Sequence, residues 1–354
     1  MRVLLKALSV TFLVVAGLAV TASAQKTYIA GYGVDKVYYF NPIKGSSAVI
    51  PMIGNPFDVV ITGDGSTAYV TLTTGDAIGV INVATNQVVT TIPTAPFPVR
   101  MSIDNSESRL YVTHGGTSVV TTIDITRYRN GQRANRVVTL TDWTAQAPSA
   151  GHGFAVAVQE SRNLLTVGTL SGYVLFFNTS GRAPRLIGRT WVSSGVSDLC
   201  FSADGAKVYA ALDSGATLSR GVRGNLLVMD ARSQAVRKGL SLGNGADPIG
   251  SLAMRPNGDD LYASGPGSGQ IYDINTRTDR LSDTILLAAG SSPYSLAAFN
   301  LGAAQGGLTL FITDIAQGQL DMYANPTKEL TTISFDPSAF PFGMAVTSVH
   351  WQVP

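Results

Sequence analysis

The chain is poor in the groups that most directly advertise chemistry. It carries one cysteine, Cys200, so it can form no intramolecular disulfide, no paired-cysteine metal site and no Cys-X-X-Cys-His haem attachment. Charged residues make up only 14% of the sequence. With Arg2 and Lys6 of the extreme N-terminus set aside, 23 basic residues balance 23 acidic ones. Neither that total nor any long run supplies the basic excess that phosphate neutralisation needs, which excludes nucleic acid as a partner. There is one long apolar run, Ala7 to Val20, and its 14 residues fall short of the roughly 20 a membrane-crossing helix requires. Basic residues before it and Ala22-Ser23-Ala24 after it read as an export signal cleaved after Ala24. Gln25 follows rather than cysteine, so no lipid anchor is indicated. Residues 25–354 are therefore expected to form one domain with no membrane span, in the periplasm or outside the cell.

What is abundant is glycine, 37 residues of it, distributed as turn punctuation. The segment Pro56 to Thr71 returns 42 residues later as Pro98 to Thr113. Each copy is an apolar strand, a polar turn and a second β-rich strand. Further copies run from Val196 to Tyr209 and from Pro248 to Tyr262, with Asp204-Gly205 and Asn257-Gly258 at the turns, matching Asp64-Gly65 in the first. Weaker ones span His152 to Leu165 and Pro293 to Phe311. A third apolar strand follows, as in Val80-Ile81-Asn82 or Val228-Met229-Asp230, and then a shorter fourth, such as Gln87 to Ile92. Four strands per repeat is the make-up of a propeller blade.

Anchoring each repeat on the bulky residue of its second strand gives Tyr28, Tyr69, Tyr111, Leu165, Tyr209, Tyr262 and Phe311, 41 to 54 residues apart. The predicted fold is all-β: a seven-bladed β-propeller with four antiparallel strands per blade. The first repeat lacks a first strand, while Pro341 to Val346 is a first strand without a repeat. Pairing Thr27–Ala30 with that tail closes the ring and removes two exposed sheet edges.

The unit Pro56…Gly63-Asp64-Gly65…Ala68-Tyr69-Val70-Thr71…Gly79-Val80-Ile81-Asn82, echoed by Leu110-Tyr111-Val112-Thr113, resembles the YVTN-repeat β-propeller family. The resemblance implies an architecture similar to seven-bladed lactonases, the haem d1 domain of nitrite reductases and subunits of periplasmic amine dehydrogenases. The chain departs from the redox members: it has no haem motif, and its single cysteine and three tryptophans leave no pair from which a crosslinked quinone could form. No cofactor and no metal is expected.

Two positions after each proline, or its equivalent, the innermost strands place Asp58, Arg100, Phe154, Asp198, Gly250, Ser295 and Gly343. Asp58, Asp198 and Arg100 near a channel mouth could form a polar site, or could cap backbone amides and seal the ring. His114 and His152 belong to loops of the same face in neighbouring blades, without metal-ligand spacing. Two insertions stretch the repeat. One holds Arg127, Arg129, Arg133 and Arg136 on the opposite face, then Trp143 on the mouth face; the other, Leu212 to Asn225, reads as a Gly/Ser loop bearing Arg220 and Arg223. Arg100, His114, Trp143, His152, Arg220 and Arg223 together would favour an anionic or aromatic ligand, or a protein. Cys200 sits in an apolar strand and reads as an inert buried thiol. His350 reads as packing beside Trp351 at the seam.

The functional expectation is a non-catalytic exported propeller that offers its channel-mouth face to a partner. The alternative is a lactonase-like hydrolase in which Arg100, His114, His152, Asp58 and Asp198 converge on one point, with or without a divalent metal. A structural cell-envelope repeat protein is a third reading, marked by exposed apolar surface.

Overall fold

A computed structural model describes residues 26–41, 46–126, 136–218, 221–300, 308–325, 327–335 and 340–346. These form seven four-stranded sheets, every strand pair antiparallel. Blade 1 joins the last strand, Phe340–Val346, to Thr27–Tyr32, Lys36–Asn41 and Ser46–Pro51. Blades 2 to 7 are each continuous in sequence and begin at Pro56, Pro98, Gly153, Val196, Leu252 and Pro293. The tail pairs with the head as expected: Thr27 lies opposite Val346, Ile29 opposite Met344 and Ala30 opposite Gly343. The proposed signal segment, Arg127, Arg129, Arg133, Arg220, His350 and Trp351 lie outside the described residues.

The repeat is a packing unit because its second strand is buried on both faces. All seven anchors are at most 1% exposed. Seven hydrophobic clusters occupy the seven junctions between neighbouring blades, so each sheet shares a core with the sheet on either side. The turns read as Asp64-Gly65, Asp204-Gly205 and Asn257-Gly258 carry φ of +66°, +65° and +78° at glycine, a conformation that a side chain resists. At Gly343 the requirement is space: a Cβ there would lie 2.4 Å from the Asp58 backbone, so the closing strand can approach blade 2 only as glycine.

Most innermost strands are bulged beside the channel, with register shifts between Pro56 and Val59, Pro98 and Met101, Pro293 and Leu296 and at the closing pair. A bulge strands backbone groups, and the hydroxyl two residues after the anchor recovers them. Thr71 Oγ1 accepts from the Asp58 amide at 2.8 Å and donates to the Val99 carbonyl of the next blade at 3.0 Å. Ser264 repeats this between the Ser251 amide, at 2.9 Å, and the Tyr294 carbonyl, at 2.7 Å. Thr113 donates to the Phe154 carbonyl at 2.6 Å, and Thr313 accepts from the Ser295 amide at 2.9 Å. The third residue of the Tyr-Val-Thr core is thus a strap between blades.

One expectation is corrected. Leu212 to Asn225 is not chiefly a loop: the second strand of blade 5 runs to Thr217 and the third starts at Arg223, with Ala216 opposite Gly224 and Thr217 opposite Arg223. The Gly/Ser composition hides a hairpin because its pairing comes from backbone, not from apolar alternation.

The strap makes a quantitative prediction. Thr71→Val keeps shape but orphans a buried amide and a buried carbonyl, so it should cost about 2–4 kcal/mol in denaturant unfolding, while Thr71→Ser should cost under about 1 kcal/mol. Equal losses in the two variants would refute the strap.

Candidate functional site

Asp58, Arg100 and Asp198 reach one electrostatic cluster in the channel. Arg100 is 7% exposed and extends from blade 3, its Nη1 lying 3.5 Å from Asp58 Oδ1 of blade 2. Its guanidinium lies over the rings of Phe57, Phe154 and Tyr294, at 5.6, 5.9 and 5.7 Å. One side chain from blade 3 thereby touches blades 2, 4 and 7. Nε and Nη2 of Arg100 have no hydrogen-bond partner among the described residues, so ring faces take the place of acceptors.

The carboxylates are also tied to backbone. Asp58 Oδ2 accepts from the Met101 amide of blade 3 at 2.9 Å, and Asp198 Oδ2 from the Leu252 amide of blade 6 at 2.8 Å. Burial pushes both acids above the ordinary carboxylate range, while Arg100 pulls them back. The guanidinium itself is held charged: burial opposes it, but Asp58, Tyr294 and Asp198 together raise it above its usual value. Two acids and one base share the axis, and each acid also laces its blade to the next.

Around them stands an aromatic collar of which the residue pattern singled out only Phe154. Phe57 stacks on Phe342 at 5.2 Å, and Tyr294 and Tyr32 meet Phe342 edge-on at 5.0 and 5.5 Å. Phe154 meets Phe57 at 5.9 Å. A signal was available: Pro56, Pro293 and Pro341 are each followed directly by an aromatic residue.

The remaining candidates sit elsewhere. His114 is fully buried; its Nδ1 donates to the Pro96 carbonyl at 3.1 Å and its Nε2 accepts from Thr121 Oγ1 at 2.8 Å. Burial takes its pKa down to about 4 against the pull of the Pro96 and Ala95 carbonyls. Trp143 is also fully enclosed, in the core between blades 3 and 4, with Nε1 donating to the Gly151 carbonyl at 3.1 Å. His114 and Trp143 thus offer no surface to solvent, because packing between blades covers them. His152 is exposed and its Nδ1 donates to the Gly115 carbonyl at 3.0 Å, while Arg223 is exposed beside the tip of the blade 5 hairpin. Cys200 lies beside Asp198 on the same strand, and burial pushes its thiol up to about 12, far from a thiolate at neutral pH.

The chain is a seven-bladed β-propeller by its sheets and by likeness to solved structures. A proposed 6-phosphogluconolactonase from Bacteroides fragilis superposes with a TM-score of 0.71 at 14% identity, covering 94% of this chain and 100% of that one. One from Bacteroides uniformis gives 0.70 at 16%, covering 92% and 100%. Hydrazine synthase from Kuenenia stuttgartiensis gives 0.58 at 16% over 76% of each chain. At these identities the likeness speaks for the fold. No protein-family model matches the sequence, and no curated protein matches it.

Two measurements check the roles of these residues. Arg100→Met leaves two buried acids without their cation and should destabilise the fold by about 3–5 kcal/mol at neutral pH. Recovery of stability on acidification would mark unpaired carboxylates as the cause; a pH-independent loss would contradict it. For His114 the folded state binds fewer protons than the unfolded one between pH 6.5 and about 4. Its contribution is therefore full above 6.5 and declines as pH falls through that window. His114→Gln should flatten the decline, and an unchanged slope would assign it to other groups.

Proposed function

We propose that this protein is an exported, non-catalytic propeller of the YVTN-repeat type that presents its channel-mouth face to a partner. The observation that carries the reading is the placement of apolar surface. Ile53, Phe97, Leu170, Trp191, Leu286 and Phe340 are all 40% or more exposed and all lie at the starts of innermost strands or the mouth-side loops and strand ends. The other exposed large apolar side chains among the described residues lie on outermost strands, and none sits in the turns of the opposite face. Large side chains gathered at one end of a ring signal a contact surface. The channel behind that face holds the protein's own Arg100 and aromatic collar, and Asp58 and Asp198 there are tied to backbone amides of the next blades. The mouth-face hydrophobics also fit the structural envelope reading, in which the partner is another wall component.

A lactonase-like hydrolase is the second reading. Its support is the similarity to the two Bacteroides structures described as proposed 6-phosphogluconolactonases and the convergence of Asp58, Arg100 and Asp198 on the axis.

Two experiments separate the readings. Purified protein incubated with sugar δ-lactones, with and without a phosphate, should open them no faster than buffer; turnover that disappears in Asp198→Asn would replace the binding reading with the hydrolase. Affinity capture from envelope extract should recover a partner with the native chain and at least about tenfold less with Trp191→Ser plus Leu286→Ser. Equal recovery by both would move the contact surface off this face.

A further inference from the structure

Charge is balanced along the sequence but not around the ring. From the last residue of the third strand to the end of the fourth, blades 4, 5 and 6 comprise residues 178–191, 230–240 and 275–286. These segments carry eight basic residues against three acids. The equivalent segment of blade 2, residues 82–93, carries no charge, and that of blade 7, residues 325–334, carries one of each sign. Because blades 4, 5 and 6 are consecutive and share cores, the ring gathers this excess onto one arc of its circumference.

Within the arc two arginines recur at matching places. Arg182, Arg232 and Arg277 stand in the turns before the outermost strands, and Arg185, Arg237 and Arg280 at or near the starts of those strands. All six are exposed. Arg237 pairs with Asp230, and the side chains of the other five have no hydrogen-bond or ion-pair partner among the described residues. The acids of the arc are largely engaged, since Asp279 receives Lys207 Nζ at 2.8 and 2.9 Å and the Tyr209 hydroxyl at 2.8 Å. Apolar side chains stand among the cations: Ile187, between Arg185 and Arg189, is 42% exposed, and Leu281, next to Arg280, is 46% exposed. Toward the axis the excess ends. The turns between the first and second strands of the same blades hold three acids and two basic residues, so the positive surface is confined to the rim.

We propose that this rim is a lipid-docking surface on which blades 4 to 6 rest edge-on against a bilayer of anionic phospholipid, with the arginines at the phosphates and Ile187 and Leu281 at the headgroup boundary. Anionic headgroups follow from the charge: guanidinium matches phosphate bidentately, and each basic residue at such a surface adds to the attraction. A bilayer follows from Ile187 and Leu281, which gain apolar surroundings there and would stay in water against a soluble polyanion. The edge-on pose follows from the confinement of positive charge to the rim. The six arginines lie away from the channel mouth, so docking and the proposed partner contact are independent.

The test is co-sedimentation of the native chain with vesicles of phosphatidylglycerol and phosphatidylcholine in equal parts, and with phosphatidylcholine alone. Saturable binding to the mixed vesicles, weakening as salt is raised, is expected, and none to phosphatidylcholine. Arg185→Ser and Arg277→Ser should each weaken it about fivefold and together roughly twentyfold. Arg162→Ser removes the same charge from an exposed turn nearer the axis of blade 4 and should change it less than about twofold. Ile187→Ser plus Leu281→Ser should weaken vesicle binding while leaving binding to soluble inorganic polyphosphate unchanged. All these side chains are exposed, so the unfolding midpoint should stay at the native value. No saturable binding, or equal binding to phosphatidylcholine alone, would overturn lipid docking. Equal losses from Arg162→Ser and Arg277→Ser would overturn the edge-on arc. Vesicle binding indifferent to the loss of Ile187 and Leu281 would assign the rim to a soluble polyanion instead.

Discussion

A ring of sheets has no ends only if its two chain termini share a sheet, and here that condition rests on one strand pair. Phe340–Val346 supplies the inner strand of the blade that Thr27–Tyr32 begins. Without it, blade 1 would lose its channel-side strand, blade 7 would face no complete neighbour, and two edges would be open to association. The core between blades 7 and 1 draws Ile29, Tyr38 and Phe40 together with Phe311, Leu320 and Met344, so closure is a packed junction as well as a ladder. No disulfide reinforces it, since the only cysteine is Cys200. The cooperative unit is therefore the whole circle.

Closure explains why the axis looks as it does. Seven inner strands converge there, and their bulges leave polar backbone that neighbours must satisfy. Hydroxyl straps and the two aspartates meet that need locally, and Arg100 with its collar of rings fills the remaining space. Asp58 and Asp198, which the hydrolase reading would use, thus also join blades. Variation is left to the periphery, where apolar side chains gather at the mouth.

The repeat was legible because its cues are local. Alternating apolar strands, Asp-Gly and Asn-Gly turns and a bulky anchor in every second strand survive even where the Tyr-Val-Thr core has decayed to Leu165 or Phe311. The grouping of Asp58, Arg100 and Asp198 was legible from position within the repeat, since equivalent positions face the same axis. The burial of His114 and Trp143 was not, because it depends on packing against a neighbouring blade, which sequence spacing does not encode. The hairpin within 212–225 was hidden by small residues whose pairing is carried by backbone. Apart from Phe154, the aromatic collar escaped because a bulge decides which of two adjacent residues turns to the channel, although the Pro-aromatic pairs gave a hint.

The dependence on closure is tested most directly by removing residues 340–354 and following unfolding of the shortened chain. Loss of the single cooperative transition, with the anchors of blades 7, 1 and 2 becoming exposed to solvent, is the predicted result. A shortened chain that unfolds cooperatively at the full-length midpoint would contradict it.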